Sequence, residues 1–142
     1  MSRRKDKRKD PALEQEGFKR RLYCWIRQRR AQVAVYKTIY YDLNESMLED
    51  HQFDYLEAEL EAVESRHPDV AVAVTLGDGY MPPHGYVGSP RLPNVTERAR
   101  KVLASWAEQG RPRLDHIPSI GPGTTPDTLY RGALASIAAY PI

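Results

Sequence analysis

The sequence predicts a mainly α fold: an αα-hairpin core with irregular Pro/Gly-rich segments and one or two additional C-terminal helices. Proline is absent between residues 12 and 67, and glycine is absent between residues 18 and 76. Apolar residues recur at helical spacing through much of this region. At 142 residues, with 28% charged residues and a mean hydropathy of −0.63, the chain has the size and polarity of one water-soluble domain.

The first predicted helix covers residues 12–41. Asp10 followed by Pro11 is typical of an N-cap with proline at the first helical position. Arg29 interrupts the apolar stripe, so one long helix and two collinear helices both fit. The stripe consists of Leu22, Ile26, Val33, Tyr36 and Tyr40.

A second helix is predicted from Asp50 to about Arg66, closed by Pro68. Residues 42–46 form a short connection, so the two helices make a hairpin in which the Tyr40 end lies close to the Asp50 end. The predicted inner stripe is Phe53, Leu56, Leu60 and Val63, and the predicted outer acids are Glu57, Glu59, Glu61 and Glu64.

The C-terminal half carries weaker signals. Residues 70–74 fit a short strand that ends at a turn over 77–79, and residues 80–93 should be irregular because they carry four prolines and two glycines. Asn94 with Glu97 predicts a helix start that resembles a capping box, and Gly110 predicts its end. A last helix is predicted from residue 125 to about residue 139.

We therefore predict four regions. Residues 1–9 are a disordered basic tail. Residues 10–69 are the helical hairpin domain, residues 70–93 an irregular connector, and residues 94–142 a C-terminal helical extension.

Charge is strongly segregated along the chain. Residues 1–37 hold 13 Lys/Arg against 4 Asp/Glu, whereas residues 38–69 hold 10 acids against a single arginine. A basic leading segment with interleaved aromatic residues, Tyr23 and Trp25, favours a nucleic-acid partner. The alternatives are attraction between the two charged regions, within the fold or across a dimer, and a merely solvated tail. The candidate nucleic-acid residues are Arg3, Arg4, Arg20, Arg21, Arg27 and Arg30.

The open end of the predicted hairpin has the chemistry of a ligand site. Asp50 and Asp54 lie one helical turn apart, so their carboxylates share a face near Tyr40 and Tyr41. Aromatic faces attract a cationic ring such as oxidised nicotinamide, and carboxylates accept hydrogen bonds from ribose hydroxyls. A phosphate would need a cation, and the candidates are Arg27, Arg29, Arg30 and Lys37.

The alternative is that this region is purely structural. Tyr40 and Phe53 would then be core residues, Asp50 would be an N-cap, and the acidic helix face would simply be solvated.

The stretch over about residues 31–69, with an extension to residues 88–90 left open, resembles the N-terminal helical domain of NAD-dependent DNA ligases. That domain carries a Tyr-His pair, then an Asp-x-x-Tyr-Asp motif, a Leu-x-x-Glu-Leu-type helix and a terminal His-Pro-Glu. Here the matching segments are Tyr40-Tyr41, Asp50-His51-Gln52-Phe53-Asp54, Leu56-Glu57-Ala58-Glu59-Leu60 and His67-Pro68-Asp69.

The resemblance implies binding of the nicotinamide mononucleotide half of NAD. It assigns Tyr40, Asp50 and Asp54 to the pocket unchanged, with Tyr41 in place of the family histidine and Phe53 in place of the family tyrosine. The first departure loses an imidazole, and the second loses a hydroxyl hydrogen bond. The predicted ligand is therefore NAD or nicotinamide mononucleotide.

The motifs of a complete ligase are missing from the sequence. None of the six lysines stands in the Lys-x-Asp-Gly setting that supplies the adenylation nucleophile. The four histidines lack metal-ligand spacing, and residues 121–125 lack a P-loop lysine. We expect no catalysis by the chain alone. Two roles stay open: assistance to a separately encoded ligase core, and binding of an NAD-derived nucleotide for another purpose. The expected setting is the cytoplasm of a bacterial or phage-infected cell, because no membrane span or signal peptide is recognisable and Cys24 has no disulfide partner.

Overall fold

The computed structural model describes residues 11–74 and 79–141, and within these ranges it contains five α-helices and no β-strand. This confirms the mainly α prediction. The predicted tail over residues 1–9, the predicted cap at Asp10 and part of the predicted turn over 77–79 lie outside the described residues. The helices are α1 (Pro11–Tyr41), α2 (Asp50–Arg66), α3 (Pro68–Ala73), α4 (Pro93–Glu108) and α5 (Pro126–Ala138).

The first helix is one continuous helix at the centre of the molecule. It packs against α2, α3 and α5 and, along another side, against α4. Leu22 and Ile26 join the main core cluster, while Val35 and Ile39 form a second cluster with Ala99 of α4. Since α1 is buried on more than one side, its apolar residues do not follow a single stripe.

Two aromatic residues of α1 differ from the sequence-based expectation. Trp25 is buried and its Nε1 donates a hydrogen bond to Ser136 Oγ at 3.1 Å, so its ring is part of the core and not a nucleic-acid platform. Tyr40, placed on the apolar stripe, lies in the last turn of α1 and is 52% exposed, so it is not a core residue.

The start of α2 corrects the supposition that Asp50 caps this helix. The N-cap is Glu49, whose backbone N–H donates to Gln52 Oε1 at 3.0 Å, and Asp50 is the first helical residue. The Asp50 carboxylate is therefore not used in capping, and its negative charge lies in the first turn, where the helix dipole favours it.

A buried ionic cluster joins α1, α2 and the segment that follows α3. Arg30 is 1% exposed and donates to the carbonyl oxygens of Ala71 and Val74, both at 2.6 Å. It also donates to Glu64, whose carboxylate accepts a second hydrogen bond from the Tyr80 hydroxyl. Burial raises the pKa of the Glu64 carboxyl above its ordinary value, although the contacts with Tyr80 and Arg30 act in the opposite direction.

The placement of Glu59 and Glu64 on the outer faces of α2 is therefore wrong, because the structure buries both. Each carboxylate meets an arginine of α1: Glu64 pairs with Arg30, and Glu59 lies 3.3 Å from Arg29 Nε. Buried carboxylates need such partners, and the cations of α1 supply them. The opposite charges of the two helices thus attract one another within the fold at these positions.

The suggested strand over residues 70–74 is also wrong. Residues 68–73 form α3, in which Pro68 occupies the first turn and Val70 and Ala71 are buried. Proline presets a helical φ at this position, and no strand exists among the described residues that could pair with an extended segment.

The C-terminal helices pack on the hairpin. The N-cap of the fourth helix is Leu92 and no side chain caps it, so the capping-box start predicted at Asn94 with Glu97 is wrong. Gly110, with a φ of +86°, follows the end of this helix as expected. The last helix begins after Thr125, whose hydroxyl accepts a hydrogen bond from the Thr128 N–H, as predicted. Because α4 contacts α1, and α5 contacts both α1 and α2, residues 94–141 share a core with the hairpin.

His67, between α2 and α3, predicts how stability depends on pH. Its Nε2 lies 2.7 Å from the Tyr130 hydroxyl, and its ring packs between Phe18 and Tyr130. Burial lowers the pKa of His67 below 6.5, while Asp69 raises it and Arg66 and Lys19 lower it further. The unfolded chain therefore takes up a proton at higher pH than the folded protein does.

We expect the free energy of unfolding to fall as the pH drops below about 6.5, until the folded-state pKa of His67 is passed. Urea titrations at several pH values between 7.5 and 5 measure this slope. The His67→Gln variant should show a shallower decline than the exposed-histidine control His84→Gln. Equal slopes in the two variants would contradict the assignment.

Candidate functional site

A cavity of about 350 Å³ opens where the C-terminal end of α1 meets the first turns of α2. The loop over residues 42–49 forms part of its wall. All five residues predicted to contact a cofactor line this one cavity: Tyr40, Tyr41, Asp50, Phe53 and Asp54.

The aromatic side of the cavity is formed by the end of α1. Tyr40 and Tyr41 are both more than half exposed, and their rings meet edge to face with centroids 5.0 Å apart. Large aromatic side chains that remain this exposed add little to the core, so their faces are free to contact a ligand. Phe53 is partly buried and packs against the main core cluster.

The acidic side of the cavity has two kinds of carboxylate. Glu45 and Glu57 also line the cavity, and each is paired: Arg111 lies 3.0 Å from Glu45, and Lys37 lies 3.3 Å from Glu57. Asp50 and Asp54 are exposed and form no ion pair or hydrogen bond within the described part of the chain. The cavity therefore presents two uncompensated negative charges to a ligand.

Several lining residues were not predicted. Tyr36 lies one helical turn before Tyr40, and burial raises its phenol pKa. Met47 and Leu48 belong to the loop between the helices, whose path the sequence does not reveal. The signal for Tyr36 was present, because residues i and i+4 share a helix face, but its place on the apolar stripe favoured a core role.

Lys37 of α1 pairs with Glu57, one of the residues that line the cavity. It is 7% exposed, and its Nζ donates to the Tyr86 carbonyl oxygen at 2.9 Å in addition to its pairing with Glu57. Glu57, predicted to decorate the solvent face, is instead half-buried because it supplies the counter-charge of Lys37.

Residues 22–73 match the family model of the DNA ligase-like, N-terminal NAD+-binding domain. This match confirms the resemblance predicted from the motifs. The ligase-like segment, as we call residues 22–73, covers just over a third of the chain and contains every residue of the predicted cofactor set. A search of curated proteins and a search of solved structures each gave no match.

The candidate nucleic-acid residues that the structure describes differ in exposure. Arg20 and Arg27 are exposed, whereas Arg21 is partly buried and donates to the Gly17 carbonyl oxygen at 3.3 Å. Arg30 cannot contact nucleic acid, because it is buried against Glu64 and Tyr80, and its assignment to nucleic acid is wrong. Arg3 and Arg4 lie outside the described residues.

The described ranges hold neither a metal-binding cluster nor a helix that could span a membrane. They contain no group of three or more His, Cys, Asp or Glu residues that could hold a metal ion. None of their helices is both long and apolar enough to cross a membrane.

Proposed function

We propose that the cavity at the open end of the α1–α2 hairpin binds the nicotinamide mononucleotide half of NAD. The observation that carries this proposal is the convergence of two exposed tyrosine rings and two unpaired aspartates on one cavity within the ligase-like segment. A volume of about 350 Å³ is at the small end of the range for ligand sites, which suits one nucleoside half better than a whole dinucleotide.

The ring of oxidised nicotinamide carries a positive charge, and this charge selects the site. A cation over a tyrosine face gains about 0.5–2 kcal/mol. Asp50 and Asp54 add an uncompensated negative field, and their oxygens accept hydrogen bonds from the ribose hydroxyls or the carboxamide. The reduced, uncharged ring loses the electrostatic part of this attraction and should bind less tightly.

The departures from the ligase pattern affect affinity. Tyr41 keeps an aromatic ring where the family has histidine, and Phe53 keeps one where the family has tyrosine, so the walls stay apolar while two polar contacts are lost. We expect a Kd between about 1 μM and 1 mM.

Isothermal titration with nicotinamide mononucleotide tests the proposal. The Asp54→Ala variant should bind at least about tenfold more weakly than the natural chain, because a charge-assisted hydrogen bond is lost. Glu61→Ala is the matched control, since Glu61 is an exposed carboxylate of α2 that does not line the cavity. No measurable heat from the natural chain at millimolar ligand, or equal effects of the two substitutions, would overturn the proposal.

We further propose that the bound nucleotide serves a separately encoded ligase core in a bacterial or phage-infected cell, and the ligase-like segment supports this proposal. Mixing the protein with a ligase core that lacks its N-terminal domain should restore adenylation by NAD.

Nucleic-acid binding through Arg20, Arg27 and the preceding basic residues remains the alternative prediction. It requires affinity that falls steeply with salt and does not depend on Asp50 and Asp54.

A further inference from the structure

The described residues that line the cavity offer no cation to a phosphate. Four of them are carboxylates, and none of them is a lysine or an arginine. A phosphate ester carries up to two negative charges, so the phosphate of a mononucleotide would be repelled here unless a basic side chain reached the cavity from its rim.

The basic residues of α1 do not fill this role. Arg30 is enclosed in its cluster with Glu64, and Arg29 pairs with Glu59 and lies over the Trp25 ring at 5.0 Å. Lys37 is held by Glu57 and by the Tyr86 carbonyl oxygen. Arg27 lines a different cavity, between α1 and α4. None of the four sequence-based candidates for the phosphate contact lines the cavity, and of the four only Arg27 is exposed.

Arg111, in the segment that follows α4, pairs with a residue that lines the cavity. Its Nη1 lies 3.0 Å from Oε2 of Glu45, which is a lining residue. The guanidinium also lies over the Trp106 ring at 5.4 Å, and the Arg111 backbone N–H donates to the Trp106 carbonyl oxygen at 3.0 Å. About half of the Arg111 side chain is exposed, so most of its five N–H donors remain available.

The segment that carries Arg111 is fixed against the first turn of α2. Gln52 of α2 is buried, and its Nε2 donates to the carbonyl oxygens of Leu114 and Ile117 at 2.7 and 3.0 Å. The Ile120 N–H donates to the His51 carbonyl oxygen at 2.9 Å. These contacts hold the connection between α4 and α5 beside the first turn of α2, so the position of Arg111 is built into the fold.

We propose that Arg111 binds the phosphate of the nicotinamide mononucleotide, and that the region after the ligase-like segment thereby completes the ligand site. This inference rests on the proposed function of the cavity. Arginine suits the role because its planar fork can donate two parallel hydrogen bonds to phosphate oxygens. In the free protein the Glu45 carboxylate pairs with the Arg111 guanidinium. When the ligand binds, its phosphate contacts the Arg111 guanidinium beside the Glu45 carboxylate or in place of it.

Comparing two ligands separates the phosphate contact from the rest of the site. Nicotinamide riboside carries the cationic ring and the ribose, and nicotinamide mononucleotide adds only the phosphate. In the Arg111→Gln variant we expect the mononucleotide to bind about five- to twentyfold more weakly, a loss in the range for one partly exposed charge-assisted hydrogen bond, while riboside binding changes less than about twofold.

Arg113→Gln is the matched control. Arg113 lies two residues further along the same segment and pairs with Glu49 and Asp115, neither of which lines the cavity. Both ligands should bind this variant within about twofold of the natural chain, because it loses only an exposed surface pair. In the Glu45→Gln variant, where the competing carboxylate is gone, the mononucleotide should bind about two- to threefold more tightly, since an exposed pair is weak.

The outcomes distinguish failure of this inference from failure of the proposed function. If riboside binds and is lost on Asp54→Ala, but Arg111→Gln leaves the ratio of the two affinities unchanged, the role of Arg111 is overturned and the cavity stands. If neither ligand binds the natural chain, both proposals are overturned. The phosphate contact is supported if the affinity for the mononucleotide, divided by the affinity for the riboside, falls in Arg111→Gln and does not fall in Arg113→Gln.

Discussion

Replacing Glu64 by alanine is expected to lower the free energy of unfolding by about 3–5 kcal/mol. Glu64 is 1% exposed and is the only carboxylate in the described residues that pairs with the equally buried Arg30. Removing it leaves a guanidinium inside the core without its counter-charge, and also removes the hydrogen-bond acceptor of the Tyr80 hydroxyl. Because small domains are stable by only about 5–15 kcal/mol, such a loss should be visible as a large fall in the urea midpoint.

The control for this prediction is Glu61→Ala on the same helix. Glu61 is exposed, so its substitution should change stability by no more than about 0.5 kcal/mol. The double variant Arg30→Met with Glu64→Leu should be more stable than Glu64→Ala, because it removes both buried charges together. If Glu64→Ala unfolded at the same urea concentration as Glu61→Ala, the buried ion pair would have no role in stability.

Replacing Ile137 by aspartate is expected to detach α5 from the hairpin. Ile137 is fully buried in the same cluster as Leu22, Trp25 and Ile26 of α1. A carboxylate at this position would have no cation beside it, and burying it would cost more than about 3 kcal/mol. We expect a loss of helical circular dichroism and of cooperative unfolding, since α5 contacts both α1 and α2.

Ala135→Asp is the matched substitution on the exposed side of α5. It places the same charge near the C-terminal end of the same helix, so it controls for helix propensity and for the helix dipole. It should unfold close to the natural chain. If Ile137→Asp also remained folded and cooperative, residues 10–69 would be an independent domain and the C-terminal helices an accessory.

The sequence predicted the helices well and their burial poorly. The hairpin and the last two helices were recognisable from spacing, proline and cap residues, because these signals are local. The burial of Arg30, Glu59 and Glu64 was not, because each is buried against a charge on the partner helix, and only the packed pair makes that favourable. A strand was predicted over residues 70–74 because their alternating valines fit the period of a strand, whereas residues 68–73 form a short helix.

Five of the residues that line the cavity could be predicted from the sequence, but the remaining lining residues could not. The two tyrosines and two aspartates are close in sequence to the hairpin turn, so their convergence follows from the hairpin itself. Glu49 as the N-cap shifts Asp50 into the helix, a one-residue difference that pattern reading does not resolve. Arg111 is 61 residues from Asp50, and its approach to Glu45 depends on tertiary packing that no local signal encodes.

Nicotinamide-nucleotide binding and nucleic-acid binding, the two alternative functions predicted for the chain, are assigned to different parts of the continuous helix α1. Arg20 and Tyr40 stand on the same helix, and 20 residues of helix span about 30 Å. A duplex touching Arg20 would need to extend by about nine base pairs to approach a nucleotide held beside Tyr40. A partner that contacts Arg20 and the nucleotide beside Tyr40 at the same time must therefore span about 30 Å, and a smaller partner can contact only one of the two.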